Sequence, residues 1–314
     1  MRKLKTAAII GAGAMGSFYA GRLYDSDACK VLICACGERR QRLMSRGLII
    51  NGRSYRLPIV DPGEDVEPAD LIIAAVKYHD LDEAIKNMKG LVGPDTLILS
   101  VMNGIDSEER IGAVYGPGKA LYGVAVGIDA VRAGNALTYT TPGKLFFGRD
   151  RNSPPDEAVL SVKQLFDSAG IVSDIPVDMI RILWWKFMIN VGINQASAVL
   201  RAAYGAFRES CYARELMESA MGEVVEIADR RGIAITHEDI DEWFKFLARL
   251  SPGGKTSMLQ DMEARRKTEV EMLAGKVIAL GEDCGVATPV NKMFFNIIRF
   301  NEDEWTRRQA SSGT

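Results

Sequence analysis

The sequence predicts an α/β domain followed by an all-helical one, and three observations carry that reading. Short apolar runs alternate with amphipathic stretches through the first half of the chain. A glycine-rich turn, Gly11-Ala12-Gly13-Ala14-Met15-Gly16, follows the first run at once, and strand signals stop after Val172 and Pro176. A chain of 314 residues exceeds one ordinary domain, so two are expected. We place them at 1–177 and 178–314.

The alternation justifies the first domain element by element. Runs 6–10, 31–35, 71–76 and 96–101 read as strands, and 15–23, 38–45 and 81–88 have helical spacing. Strand and helix in turn imply a parallel sheet with right-handed crossovers. From 121 to 147 glycines break the apolar texture, which predicts added antiparallel strands at the far edge of that sheet. The second domain is expected to hold helices at 178–200, 212–231, 239–250, 257–284 and 290–300, with a small polar tail from Gln309 that frays.

Composition excludes several function classes. Hydrophobic residues make up 47% and charged residues 25%, which supports packed cores. Lys and Arg number 39 against 41 Asp and Glu, a net charge of -2 with no dense basic run, so no nucleic-acid partner is expected. Glycine interrupts the first apolar run after four residues, unlike a signal-peptide core. No stretch of about twenty apolar residues occurs, so no membrane association and a cytoplasmic location are expected. Cys29, Cys34, Cys36, Cys211 and Cys284 fit neither a disulfide framework nor a zinc pattern, and read as reduced, mostly packed thiols. His79 and His237 are isolated, so no metal is expected.

The glycine turn carries the first functional signal. Placed between a first strand and a helix, it matches the dinucleotide-binding fingerprint. Gly11 permits the tight turn, Gly13 lets backbone approach a pyrophosphate, and Gly16 allows close helix-to-strand packing, with Ala12, Ala14 and Met15 completing the loop. The helix start then offers N–H groups to phosphate. The ribose should be read at Cys36-Gly37-Glu38-Arg39-Arg40, where Glu38 would favour a free 2′-hydroxyl and Arg39 or Arg40 a 2′-phosphate. A solvated helix start explains the same residues.

Polar residues in unusual places extend the signal. Lys77 and Asn103 end successive strands, where an open α/β sheet binds ligands. Lys186, Asn190 and Asn194 recur every fourth residue in an otherwise apolar helix and form one stripe. Such a stripe suits a small-molecule site, although a snorkelling lysine above two packing amides has the same spacing. Ser257 with Gln260 matches a capping box at a helix start that could also bind a carboxylate. Glu269 lies in the charged run 265–271, where a salt-bridged surface helix is the alternative.

Together the GAGAMG turn, Lys77, Asn103, the Lys186/Asn190/Asn194 stripe, and the Ser257-Met258-Leu259-Gln260-Asp261 block with Thr268-Glu269 resemble the ketopantoate reductase (2-dehydropantoate 2-reductase) family over almost the whole chain. The resemblance implies a Rossmann-type dinucleotide-binding domain, a helical substrate domain, an active site in the cleft between them, and reduction of 2-dehydropantoate to pantoate in the pathway to pantothenate and coenzyme A. It implies Lys186 as general acid, and Asn190, Asn194 and Ser257 as substrate contacts. Glu269 would hold the distal hydroxyl, and Lys77 and Asn103 would lie beside the nicotinamide. NADPH is the implied cofactor, with NADH as the alternative.

The chain departs from the family at two positions. Cys36 stands where members commonly have an arginine, and Gly254 where a further substrate asparagine is common. These departures leave open a related D-2-hydroxy acid dehydrogenase acting on another 2-oxo acid. A non-catalytic dinucleotide-binding regulator is the rival from another class. The expected partner is the small 2-oxo acid, and a homodimer is compatible with the sequence.

Overall fold

The computed structural model describes residues 2–312. By density of contacts the chain divides into two units, Met1–Leu183 and Trp184–Thr314. In the first, strand β1 (Thr6–Ile10) leads through the glycine turn into helix α1 (Ala14–Ser26), then β2 (Lys30–Cys34) and α2 (Gly37–Arg46). Three short strands follow, β3 (Leu48–Ile50), β4 (Arg53–Tyr55) and β5 (Ile59–Val60), and then β6 (Leu71–Ala74), α3 (Leu81–Asn87), β7 (Leu97–Ser100) and α4 (Ser107–Tyr115). Strands β8 (Ala120–Ile128), β9 (Val131–Ala133), β10 (Ala136–Thr138) and β11 (Pro142–Gly148), helix α5 (Glu157–Ser168) and strand β12 (Ser173–Asp174) complete it.

Eight strands form the main sheet in the order β12-β11-β8-β7-β6-β1-β2-β5. From β5 to β8 every pair is parallel, and the chain reverses its direction of travel between β1 and β6. This is the doubly wound order, with a ligand crevice at the switch point. Alternation along β1 sends Ala7 and Ile9 to a core that includes Phe18, Leu23 and Val162, and Ala8 and Ile10 to another with Leu81, Ile85 and Ile111. Each such large apolar side chain, fully buried, stabilises by roughly 1.5–3 kcal/mol.

The far edge differs from the expectation in part. β8 and β11 pair antiparallel beside β7 as expected. β9 and β10 instead join β3 and β4 in a separate four-stranded sheet, where Ala136 pairs with Ile49. β12 adds a parallel edge strand beyond Val172.

The second unit is helical: α6 (Met179–Ile189, begun in the first unit), α7 (Gln195–Leu200), α8 (Ala206–Glu209), α9 (Cys211–Arg230), α10 (His237–Leu247), α11 (Ser257–Glu263), α12 (Lys276–Cys284) and α13 (Pro289–Ser312). The single helix expected over 257–284 is broken. Arg265 takes φ 51°, and the chain re-enters helix only at Glu271. α13 continues through Ser312, so fraying does not begin at Gln309; Gly313 and Thr314 lie outside the described residues. A buried polar relay ties α7, α9 and α13 together: Gln195 Nε2 donates to Asn291 Oδ1 at 2.9 Å, and Asn291 Nδ2 to Glu223 Oε2 at 2.6 Å. Glu223 Oε1 also accepts the Val290 N–H at the start of α13. Among the described residues no helix is long and apolar enough to cross a membrane, no His/Cys/Asp/Glu group could hold a metal, and all five cysteines are free. Only Cys34 is fully buried, and Cys211 is exposed, so the thiols are less packed than expected.

Candidate functional site

In the first unit the candidate residues gather at the carboxyl ends of three adjacent strands. The glycine turn follows β1, Lys77 follows β6, and Asn103 follows β7. Lys77 precedes a short turn, Tyr78–Asp80, and both it and Asn103 are half-buried. The glycines have separate causes. Gly11 has φ 92°, and a Cβ there would lie 2.6 Å from Val76 Cγ1 and 2.7 Å from Ala75 O. A Cβ on Gly16 would lie 2.1 Å from Gly11 O, so α1 could not sit so close to the turn. Gly13 is different, because a Cβ there would meet nothing nearer than Ala75 O at 3.8 Å. Protein packing explains two of the glycines; the third leaves room over the start of α1, as an approaching pyrophosphate requires.

The start of α2 separates the two arginines that the sequence left equivalent. Arg40 is engaged, with Nη2 2.7 Å from Glu64 Oε1 and Nε 4.0 Å from Asp61. Arg39, half-buried on the first turn of α2, pairs with no carboxylate among the described residues. Cys36 precedes α2 as its capping position, and Glu38 lies in the first turn.

At the start of α4, one buried carboxyl had no sequence signal. Glu108, 2% exposed, accepts from Ser107 Oγ at 2.8 Å, and Ser107 Oγ lies 2.7 Å from Ser100 Oγ at the end of β7. Its Oε1 has no hydrogen-bond partner. Burial pushes this carboxyl up to about 7, against the opposing pull of Ser107.

In the second unit the polar stripe runs along a continuous helical path. Between α6 and α7 the chain makes one π turn, Asn190–Asn194, all five residues of which are buried. Such turns recur at functional sites. Gly192 lets this turn lie close to α9, since a Cβ there would lie 2.5 Å from two Met221 side-chain atoms. The turn packs against α9, α11 and a second π turn, Glu271–Gly275. Lys186, one turn before Asn190, is half-buried, and burial pushes its amine down to about 8. Asn190 and Asn194 are buried.

Glu269 is buried as well, at 9% exposure, and so does not lie on an exposed helix face. Its neighbour Thr268 donates through N and Oγ1 to Glu302 Oε1, each at 2.7 Å, which fixes the segment against α13. Glu271 forms ion pairs with Arg299 at 2.8 Å and with Lys267 at 3.8 Å. The capping box expected of Ser257 with Gln260 does not form. Thr256 caps α11, accepting the Leu259 N–H at 3.1 Å, while Gln260 reaches the Lys255 carbonyl. Ser257 is exposed and has no capping task. Gly254 is held by packing, since a Cβ would lie 2.9 Å from Tyr204 Cδ2.

A doubly wound sheet with this glycine turn, joined to a helical unit with a lysine-asparagine stripe, defines a Rossmann-type oxidoreductase architecture. Family models agree: Ketopantoate reductase PanE/ApbA matches residues 7–152, and Ketopantoate reductase PanE/ApbA C terminal matches 178–302. The chain belongs to the ketopantoate reductase family, and is an oxidoreductase of the kind that acts on CH–OH groups. A 2-dehydropantoate 2-reductase of Pyrococcus horikoshii is 27% identical over 300 residues, 94% of this chain and 96% of the relative. D-mandelate dehydrogenase with NADH and anilino(oxo)acetate superposes with TM-score 0.86 at 23% identity, covering 95% of this chain and 99% of that one. Dimeric ketopantoate reductase from Staphylococcus aureus superposes with TM-score 0.77 at 20% identity, covering 95% and 99%.

Proposed function

We propose that the chain reduces 2-dehydropantoate to pantoate with NADPH, and that Lys186 supplies the proton. The observation that carries this reading is the Lys186 amine, pushed down to about 8 by burial one turn before two buried asparagines. An amine tuned near the working pH is an efficient proton donor. The reduced nicotinamide supplies a hydride to the substrate carbonyl carbon. Lys186 meets the negative charge that grows on the carbonyl oxygen and delivers a proton there. Asn190, Asn194 and Ser257 orient the 2-oxo acid, and Glu269 accepts a hydrogen bond from its distal hydroxyl. Gly11 to Gly16 receive the pyrophosphate, Arg39 the 2′-phosphate, and Lys77 and Asn103 hold the nicotinamide end.

One observation favours a second reading, reduction of a different 2-oxo acid. Where the family commonly has an asparagine, Tyr204 fills the space beside Gly254, and a contact to 2-dehydropantoate is lost. NADPH and NADH oxidation, each followed with 2-dehydropantoate and with branched and aromatic 2-oxo acids, separates the two readings. Highest kcat/KM for 2-dehydropantoate supports the first, and for an aromatic acid the second. A homodimer is the proposed assembly, tested by sedimentation.

A further inference from the structure

Arg132 reaches the glycine turn from the small second sheet. It lies on β9, half-buried. Its Nη1 donates to the Ala12 carbonyl oxygen and its Nε to Gly134 O at 2.9 Å. Nη1 would be 4.0 Å from a Cβ placed on Gly13. The guanidinium is thus anchored at two nitrogens over the turn, and Nη2 makes no hydrogen bond among the described residues.

Arg132 also shares its surroundings with positive charge. Burial lowers its affinity for its proton, and Arg39 and then Arg42 lower it further. Among the described residues none of these three arginines pairs with a carboxylate, whereas Arg40, one residue along α2 from Arg39, pairs with Glu64. Converging like charges in a partly desolvated place repel one another. A dianion bound among them would reverse the sign of that interaction. The place is specific: Arg39 and Arg42 lie on the helix after β2, where the adenosine ribose is read, and Arg132 spans from there to Ala12 and Gly13.

We infer that Arg132, with Arg39 and Arg42, forms a phosphomonoester site for the 2′-phosphate of the adenosine ribose, standing in for the arginine absent at Cys36. The inference rests on the reading of the glycine turn as a dinucleotide site. It makes a residue of the second sheet, some 120 positions from the turn in sequence, a determinant of cofactor choice. A guanidinium so placed can give the charge-assisted, forked contact that phosphate favours.

Calorimetric titration of the full chain with AMP, adenosine 2′,5′-bisphosphate, NADH and NADPH tests the site, since the first two ligands differ only in the 2′-phosphate. The bisphosphate should bind at least tenfold tighter than AMP, with a steeper salt dependence. Arg132→Met should remove most of that advantage, Arg132→Lys should restore part of it, and Arg39→Ala/Arg42→Ala should reduce it without touching the turn. Equal binding of AMP and the bisphosphate by the wild type would overturn the inference. So would an Arg132→Met variant that weakens both ligands by the same factor, because that is the mark of a turn support only. Should Arg132→Met fail to fold, an Arg39→Ala/Arg42→Ala variant that keeps the full advantage is equally adverse. Binding of none of the four ligands would instead overturn the dinucleotide reading itself.

Discussion

Replacing Glu108 by glutamine should make stability less sensitive to pH, by an amount the structure sets. The carboxyl is buried under the strand-end Ser100, and burial holds it near 7 against an ordinary 4.5. A carboxyl raised in the folded state binds its proton more tightly there than in the unfolded chain. Its stabilising contribution is therefore complete below about 4.5 and is lost as pH rises through about 7. Between pH 5 and pH 8 the loss comes to about 2 to 3 kcal/mol. Glu108→Gln removes the titration, so its stability relative to wild type should rise by that amount over the same interval. A fixed cost or gain from the amide cancels, because only the change with pH is compared. All four tryptophans fall in the second unit, so fluorescence would miss the effect; amide exchange in β7 and β8 follows it directly. Parallel pH profiles for the two proteins would refute the argument.

Two further outcomes concern the proposed site. Gly13→Ala should fold normally, within about 1 kcal/mol of wild type, because its φ of -77° suits alanine and the weaker cap offsets the entropy gained. It should nevertheless lose at least tenfold in NADPH affinity, about 1.4 kcal/mol. Gly16→Ala, driven against Gly11 O, should instead cost roughly 3 kcal/mol of stability; thermal melts beside cofactor titrations check the contrast. Glu269→Gln should raise KM for 2-dehydropantoate and leave a 2-oxo acid without the distal hydroxyl nearly unaffected. Equal damage to both substrates in steady-state assays would remove the anchoring role.

What the sequence could reveal follows from the range of the interactions involved. The parallel strands were legible because each is an apolar run next to its own amphipathic helix, and the glycine turn sits between the first such pair. The second sheet was not, since β3, β4, β9 and β10 have three residues each, and the two short hairpins they form join only through the distant pairing of β3 with β10, as Ile49 with Ala136. Arg132 is hidden for the same reason: it looks like one polar residue in a hairpin until the sheet brings it to Ala12. In the helical unit, apolar periodicity resumes after Arg265 and so conceals the break there. The stripe of Lys186, Asn190 and Asn194, spaced by four, reads as plain α-helix, because side-chain spacing does not distinguish the π turn. Thr256 and Ser257 are adjacent hydroxyls, and only the hydrogen bond to Leu259 decides which one caps. Glu108, by contrast, is acidic in a helix's first turn, an ordinary surface pattern until burial makes it unusual.

The most direct test of the account is the pH profile of NADPH oxidation by 2-dehydropantoate, measured for wild type and for Lys186→Ala. Lys186 must hold its proton to give it, so wild-type kcat/KM should fall as pH rises through about 8. In Lys186→Ala that limb should vanish and kcat should drop by roughly 10² to 10⁴, with NADPH affinity little changed. A variant that keeps wild-type kcat and the same alkaline limb would contradict the assignment of Lys186 as the proton donor.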